Sequence, residues 1–322
     1  MTSNLKIKSV LITGANAGIG KEAARQLAAK PGFETIYLAC RNKQKAEAVR
    51  KELEASTRRR IFKTVIMDVS NVSSVREAVA TLRDPIDAVI LNAGGSGGDT
   101  PMAHTPEGVS HLFAQNVFGH VVLLETMLEA GLLTQTAIFL GTEAARGVPK
   151  MGIKRPTAAT LEEFKDVISG KAYAGKKLDI FSAYGAVKYV GALWMSSLAR
   201  KYPNIRLVTI SPGGTKGTDA SKSYPQPMRT IYNYILAPVL GPLMGLVHPL
   251  ETGARRIAEG LTDGSLLSGH FYASKANVLV GELVDQQDIY ANLGDPKIQD
   301  RASEAIHSFL APRQSAPGDD PK

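Results

Sequence analysis

Short runs of β-branched and other apolar residues alternate along the chain with longer stretches in which apolar positions recur every three or four residues. The short runs predict strands at Lys8–Thr13, Thr35–Cys40, Phe62–Met67, Ala88–Asn92, Ala137–Gly141 and Ile205–Ile210, with a seventh at His270–Ala273. The helical periodicity predicts helices at Gly18–Ala29, Lys43–Ala55, Val72–Leu82, Pro106–Glu129 and Tyr184–Lys201. Strands alternating with helices of this length are βαβ units, and right-handed crossovers place their helices on both faces of one parallel sheet. The expected fold class is therefore α/β, a Rossmann-type doubly wound parallel sheet of six to seven strands in a single domain over residues 1–310. Two long segments interrupt the alternation, an insertion at 143–180 and a stretch at 213–248 rich in Gly, Pro, Ser and apolar residues. Both follow strands at the carboxyl ends, where open α/β sheets bind ligands, so both are expected to wall a substrate pocket. Residues 311–322, with three prolines and two adjacent acids, are expected to be a disordered tail.

Composition narrows the classes. The chain has 322 residues, 44% of them hydrophobic and 21% charged, which suits a globular protein. Its single cysteine, Cys40, cannot close an internal disulfide or build a zinc cluster, and a cytoplasmic location is expected. No apolar stretch of signal-peptide length follows Met1, so secretion is not expected. The longest apolar stretch, Ile231 to Val247, is interrupted by Asn233, Pro238 and Pro242, too broken for a spanning helix; peripheral contact with a membrane stays open. The net charge is +8, but the basic residues are scattered apart from Arg58–Arg60, so no nucleic-acid partner is expected. His104, His111 and His120 lie seven and nine apart and form no metal pattern. His120 reads as a packed helix residue.

The first strand runs directly into Thr13-Gly14-Ala15-Asn16-Ala17-Gly18-Ile19-Gly20 and then a helix. Glycines there allow a tight turn and close approach of a pyrophosphate, and the helix N-terminus offers unpaired N–H donors at the positive end of its dipole. The second strand ends without the carboxylate that would bind the ribose 2′-hydroxyl of NAD. Arg41 stands in its place beside Asn42, and a guanidinium suits the 2′-phosphate of NADP. Asp68, before Val69, can accept from an adenine amino group or simply end its strand. Asn92, Ala93 and Gly94 close the fourth strand; small residues let backbone lie against a cofactor, and Asn92 can tie adjacent strands together.

Tyr184 and Lys188 are four apart and share one helix face. A free tyrosine has a pKa near 10, so exchanging a proton near neutrality needs about 4 kcal/mol of preferential stabilisation of its anion, to which a lysine ammonium and an oxidised nicotinamide can contribute.

With TGANAGIG at 13–20, NAG at 92–94, YGAVK at 184–188 and SPGG at 211–214 in this order, the chain resembles the short-chain dehydrogenase/reductase family over Lys6 to Ser274. YLACRN, TPEGVSHLFAQNVFGH and SGHFYAS look most like its retinol-dehydrogenase and protochlorophyllide-reductase branch. The resemblance implies an NADP(H)-dependent oxidoreductase moving hydride between nicotinamide and a carbonyl or alcohol carbon. It implies Tyr184 as proton donor, Lys188 as its activator and ribose anchor, and Asn116 as the residue holding a relay water. The family's serine has its counterpart in Thr142, 42 residues before Tyr184 instead of about 13, with Ser182 as the competing hydroxyl. Pro212 and Gly213 match the turn that lies against the nicotinamide amide, with Thr215 a candidate hydrogen-bonder. Gly214 stands where the protochlorophyllide branch usually has cysteine, which argues against light-driven reduction. The apolar 213–248 segment suggests a lid over a lipophilic small molecule; a buried helix pair or a contact between copies in a homo-oligomer would use the same residues.

Overall fold

The computed structural model describes residues 5–175, 177–216 and 246–310. Eight strands form one sheet in the order β3-β2-β1-β4-β5-β6-β7-β8. They are β1 (Ser9–Thr13), β2 (Thr35–Cys40), β3 (Phe62–Ile66), β4 (Ile86–Leu91), β5 (Leu133–Leu140), β6 (Arg206–Ile210), β7 (Phe271–Ser274) and β8 (Leu283–Asp285). Every pairing is parallel except β7 with β8. The sheet thus has one strand more than the seven expected; the three-residue β8 at its edge is too short to show a periodicity. Strand order reverses between β1 and β4, and this switch point opens a crevice at the carboxyl ends.

One face carries α1 (Gly18–Ala29), α2 (Lys43–Thr57) and α8 (Leu250–Gly260), packed on Val10, Ile12, Ile36, Leu38 and Ile90. The other carries α3 (Val72–Ala80), α5 (Gly119–Glu129), α6 (Leu161–Ser169), α7 (Ile180–Lys201) and α9 (Pro296–His307), with Leu11, Val89, Leu91 and Phe139 beneath them. Side chains cap these helices where local sequence dictates: Asn42 accepts from Lys45 N–H at the start of α2, Asn71 from Ser74 N–H in α3, and Thr160 and Glu163 close a capping box on α6.

Three expected elements differ: β5 starts at Leu133, four residues before the expected Ala137, and two helices start elsewhere than expected. The helix expected at Pro106–Glu129 begins only at His111, because Gly108 turns with φ +85° and Ser110 caps the new start. That short α4 (His111–Phe113) passes through a π turn at Ala114–Phe118 before α5. The last long helix starts at Ile180, four residues before Tyr184, where the Asp179 carboxylate accepts from the Phe181 and Ser182 N–H groups. The 143–180 insertion holds α6, which helps bury the α4 start: Ser110 N–H donates to Ile168 O at 2.9 Å. Of the expected lid, residues 217–245 lie outside the described residues, as does the tail from 311. The two ends of that stretch are joined: Thr215 and His248 form a parallel bridge, with His248 N–H to Gly214 O at 2.8 Å and Lys216 N–H to His248 O at 2.9 Å.

Candidate active site

The loops after β1, β4, β5 and β6 meet at one edge of the sheet, since Ile12 is level with Ile90, Leu91 with Phe139, and Leu140 with Ile210. After β1, Gly14 turns with φ +66° and Gly18 with φ +54°. A Cβ on Gly20 would stand 2.5 Å from Asn92 Nδ2 and 2.8 Å from Gly14 O, so only glycine lets α1 start this close to β4. Asn16 and Ala17 are exposed, Gly18 and Ile19 half-buried. No side chain caps the start of α1 at Ala17, and its first turn holds no acid. A helix N-terminus left to its own N–H groups beside a glycine turn fits an anionic diphosphate.

Asn92 ties strands as expected: its Nδ2 donates to Thr13 O at 2.7 Å. Sequence reasoning missed Thr13 itself. Its buried hydroxyl accepts from the N–H groups of Asn92 and Ala93, both at 2.9 Å, which occupies its lone pairs. The same hydroxyl lies 3.1 Å from His120 Nε2 and 3.4 Å from Ile90 O. Burial, with help from Lys188, holds the imidazole down to about 3, so it is neutral. Asn116 sits in the π turn, fully buried. Its Oδ1 accepts from Gly95 N–H at 3.1 Å, and its Nδ2 donates to Gly95 O and Leu112 O, both at 2.8 Å. The amide thus clamps the loop after Gly94.

Arg41 and Asn42 are exposed just past β2, and Asn42 is the α2 cap. Asp68 is half-buried and accepts from Ser70 N–H and Oγ at 2.9 and 2.6 Å, in the manner of a turn residue. Val69 lies against α5, where a Cβ on Gly119 would come within 1.7 Å of its carbonyl oxygen.

The Tyr184 and Lys188 side chains are brought against the turn after β5 by Gly185, whose absent Cβ would lie 2.6 Å from Ala144 O. Lys188 is 1% exposed; its Nζ donates to Leu140 O at 2.9 Å, 4.5 Å from the Phe139 ring centre and 5.9 Å from that of Tyr184. Burial lowers the ammonium to about 7. Burial, joined by the Glu143 carboxylate, pushes the Tyr184 phenol up to about 12, opposite to the downward pull anticipated from Lys188. Thr142 is half-buried, its Oγ1 accepting a long bond from Ala144 N–H at 3.3 Å. Ser182 instead donates its hydroxyl to Asp179 at 2.6 Å, in the α7 cap. After β6, Pro212, Gly213 and Thr215 are half-buried, Gly213 has φ +79°, and Thr215 Oγ1 donates to Gly213 O at 3.0 Å. Among the described residues no cluster of three or more His, Cys, Asp or Glu is placed to hold a metal, and no helix is long and apolar enough to cross a membrane.

The doubly wound sheet thus places an uncapped glycine turn at its switch point, with a tyrosine and a lysine on the helix beside it. Residues 8–137 match the short chain dehydrogenase family. A short chain dehydrogenase of Aspergillus sclerotiorum is 30% identical over 250 residues, which cover 71% of this chain and 67% of that one. Human retinol dehydrogenase 13 is 34% identical over 125 residues, 38% of this chain and only 37% of that protein. Among solved structures, L-sorbose reductase from Gluconobacter frateurii with NADPH and L-sorbose superposes with a TM-score of 0.61 over 88% of this chain and all of that one, at 18% identity. The NADPH-bound carbonyl reductase from chicken fatty liver gives 0.58 over 86% of this chain and all of that one, also at 18%. The chain belongs to the short-chain dehydrogenase family. The expected likeness to the retinol dehydrogenases holds over 125 to 133 residues, 38–40% of this chain.

Proposed function

We propose that this protein is an NADP(H)-dependent carbonyl reductase or alcohol dehydrogenase for a lipophilic small molecule. The observation that carries the reading is the joint placement of Tyr184, the buried Lys188 and the Thr142 turn, drawn together where α7 packs through Gly185 on Ala144. NADP(H) would be held by Gly14, Asn16, Ala17, Gly18, Ile19 and Gly20 at its diphosphate, and by Arg41 and Asn42 at the 2′-phosphate. Asp68 and Val69 would face the adenine, Asn92, Ala93 and Gly94 the middle of the molecule, Tyr184 and Lys188 the ribose, and Pro212, Gly213 and Thr215 the nicotinamide amide. When bound, the nicotinamide supplies or accepts the hydride.

In reduction, the Thr142 hydroxyl and the Tyr184 phenol donate hydrogen bonds to the substrate carbonyl oxygen, and Tyr184 delivers the proton. A phenol held at about 12 is fully protonated at neutral pH and ready to give. Lys188, held at about 7, takes up and releases protons in the working range and can return one to Tyr184. Asn116 keeps the loop after Gly94 in register with these groups. Exposed Phe181, one turn before Tyr184 on α7, and the apolar composition of 213–248 support a lipophilic substrate.

The test is a panel of aldehydes and ketones with NADPH consumption followed by absorbance, on wild type and Tyr184→Phe. Wild-type turnover should fall by about 10² to 10⁴ in Tyr184→Phe with NADPH affinity nearly unchanged. A variant keeping more than about a tenth of wild-type kcat refutes the proton-donor role.

A further inference from the structure

A carboxylate that the mechanism above does not use lies one residue beyond Thr142. Glu143 is 3% exposed, and both of its oxygens are engaged from other strands: Oε2 accepts from Ser211 Oγ at 2.7 Å, and Oε1 accepts from Ser274 N–H at 3.1 Å. Ser211 Oγ in turn accepts from Gly213 N–H at 3.0 Å. A carboxylate this deep needs a counter-charge, and Arg256 of α8 supplies it, Nη1 lying 3.9 Å from Oε1 and donating to Ser274 Oγ at 3.2 Å. Arg146, from the same turn as Glu143, is buried beside it and spreads its guanidinium over Ser274 O at 3.0 Å and Lys275 O at 2.7 Å. One side chain therefore joins the ends of β5, β6 and β7 where they border the cleft.

We propose that Glu143 is a positioning residue for carbonyl reduction, locking the Pro212–Gly213 turn to the Thr142 turn through Ser211. The inference rests on the roles given above to Thr142, Tyr184 and the Pro212–Gly213 turn. Two consequences separate its parts. The relay Glu143–Ser211–Gly213 fixes the backbone on which the nicotinamide end of the cofactor would lie. The Glu143 carboxylate also acts against ionisation of Tyr184, whose helix packs through Gly185 on the same turn, while the Lys188 ammonium on α7 and the Arg146 and Arg256 guanidiniums beside Glu143 act the other way. Holding the phenol protonated favours giving a proton over taking one.

The experiment compares wild type, Ser211→Ala and Glu143→Gln. NADPH affinity is read by nicotinamide fluorescence, hydrogen exchange on the segment containing Gly213, and the pH dependence of alcohol oxidation with NADP⁺. Ser211→Ala breaks the relay and keeps the charge. It should weaken NADPH about three- to tenfold and speed exchange at Gly213, leaving the pH profile in place. Glu143→Gln keeps an acceptor and removes the charge. It should move the acidic limb of oxidation about half to one pH unit toward acid, with a smaller change in NADPH affinity than Ser211→Ala. Unchanged exchange in Ser211→Ala, or an unmoved limb in Glu143→Gln, overturns the proposal. Should Glu143→Gln fail to fold, Ser211→Ala decides by exchange and NADPH affinity. Absence of any NADPH-dependent turnover in wild type instead overturns the proposed function, and the exchange comparison still decides whether the clamp exists.

Discussion

Replacing Lys188 by methionine removes a charge from a place where charge is expensive. The ammonium is 1% exposed, with one protein acceptor at 2.9 Å, and burial takes it from 10.5 to about 7. At about 1.36 kcal/mol per pH unit, carrying the proton in the folded state costs about 5 kcal/mol. The unfolded chain binds this proton up to 10.5 and the folded one only to about 7, so between those values stability rises with pH. Below about 7 both states are protonated and the whole cost is present; above 10.5 neither is, and the cost is gone. Methionine fills similar volume but leaves the Leu140 carbonyl without its donor, a loss of about 1–3 kcal/mol. Lys188→Met should therefore be more stable than wild type by about 2–4 kcal/mol at pH 6 to 7, raising Tm by roughly 4–12 °C, while losing turnover. Thermal unfolding of both proteins from pH 6 to 9.5 measures it, because titrations elsewhere cancel in the difference. The gap in Tm must shrink steadily as pH rises. A gap that stays constant, or a variant less stable at every pH, refutes the reasoning.

Arg41→Asp should weaken NADPH by about ten- to a hundredfold, the worth of a charge-assisted bond to phosphate, and narrow the preference over NADH; equal wild-type affinities for the two cofactors would remove Arg41 from that role. Gly20→Ala places a methyl 2.5 Å from Asn92 Nδ2 and 2.8 Å from Gly14 O. It should cost about 1–3 kcal/mol in urea unfolding and weaken NADPH as the Asn92–Thr13 tie shifts, whereas a stability matching wild type would mean the α1 entry can slide.

The strands of the buried sheet were readable because each is a local run of apolar residues, and β1, β2 and β3 appear within a residue of their expected bounds. The glycine loop, Asn92, Tyr184 and Lys188 were readable for the same reason: their meaning lies in spacings of a few residues. The break at Ser110 was not, since Pro106–Glu129 is apolar enough for one helix and only the packing of α6 on Ser110, with Asn116 clamped to Gly95, sets its true start and its π turn. Helices α8 and α9 flank the seventh expected strand but went unread, α8 because it follows the irregular 213–248 segment and α9 because it follows the short β8. Glu143 is not singled out from the sequence, because its partners Ser211, Arg256 and Ser274 come 68 to 131 residues later. A carboxylate three residues past the apolar run Ala137–Leu140 was the one available hint.

The bridge between Thr215 and His248 gives the chain a docking port with fixed terminals. Whatever spans 217–247 starts and finishes at neighbouring points, so changing its length alters closure entropy only slowly, about 0.6 kcal/mol for each doubling. Under the proposed function, hydride chemistry and substrate choice become separable parts of the design. Segments of different length and composition can be exchanged between Lys216 and His248 while the sheet, the Thr142 turn and α7 stay as they are. On that reading the same frame could be retuned to new substrates by cassette rather than residue by residue.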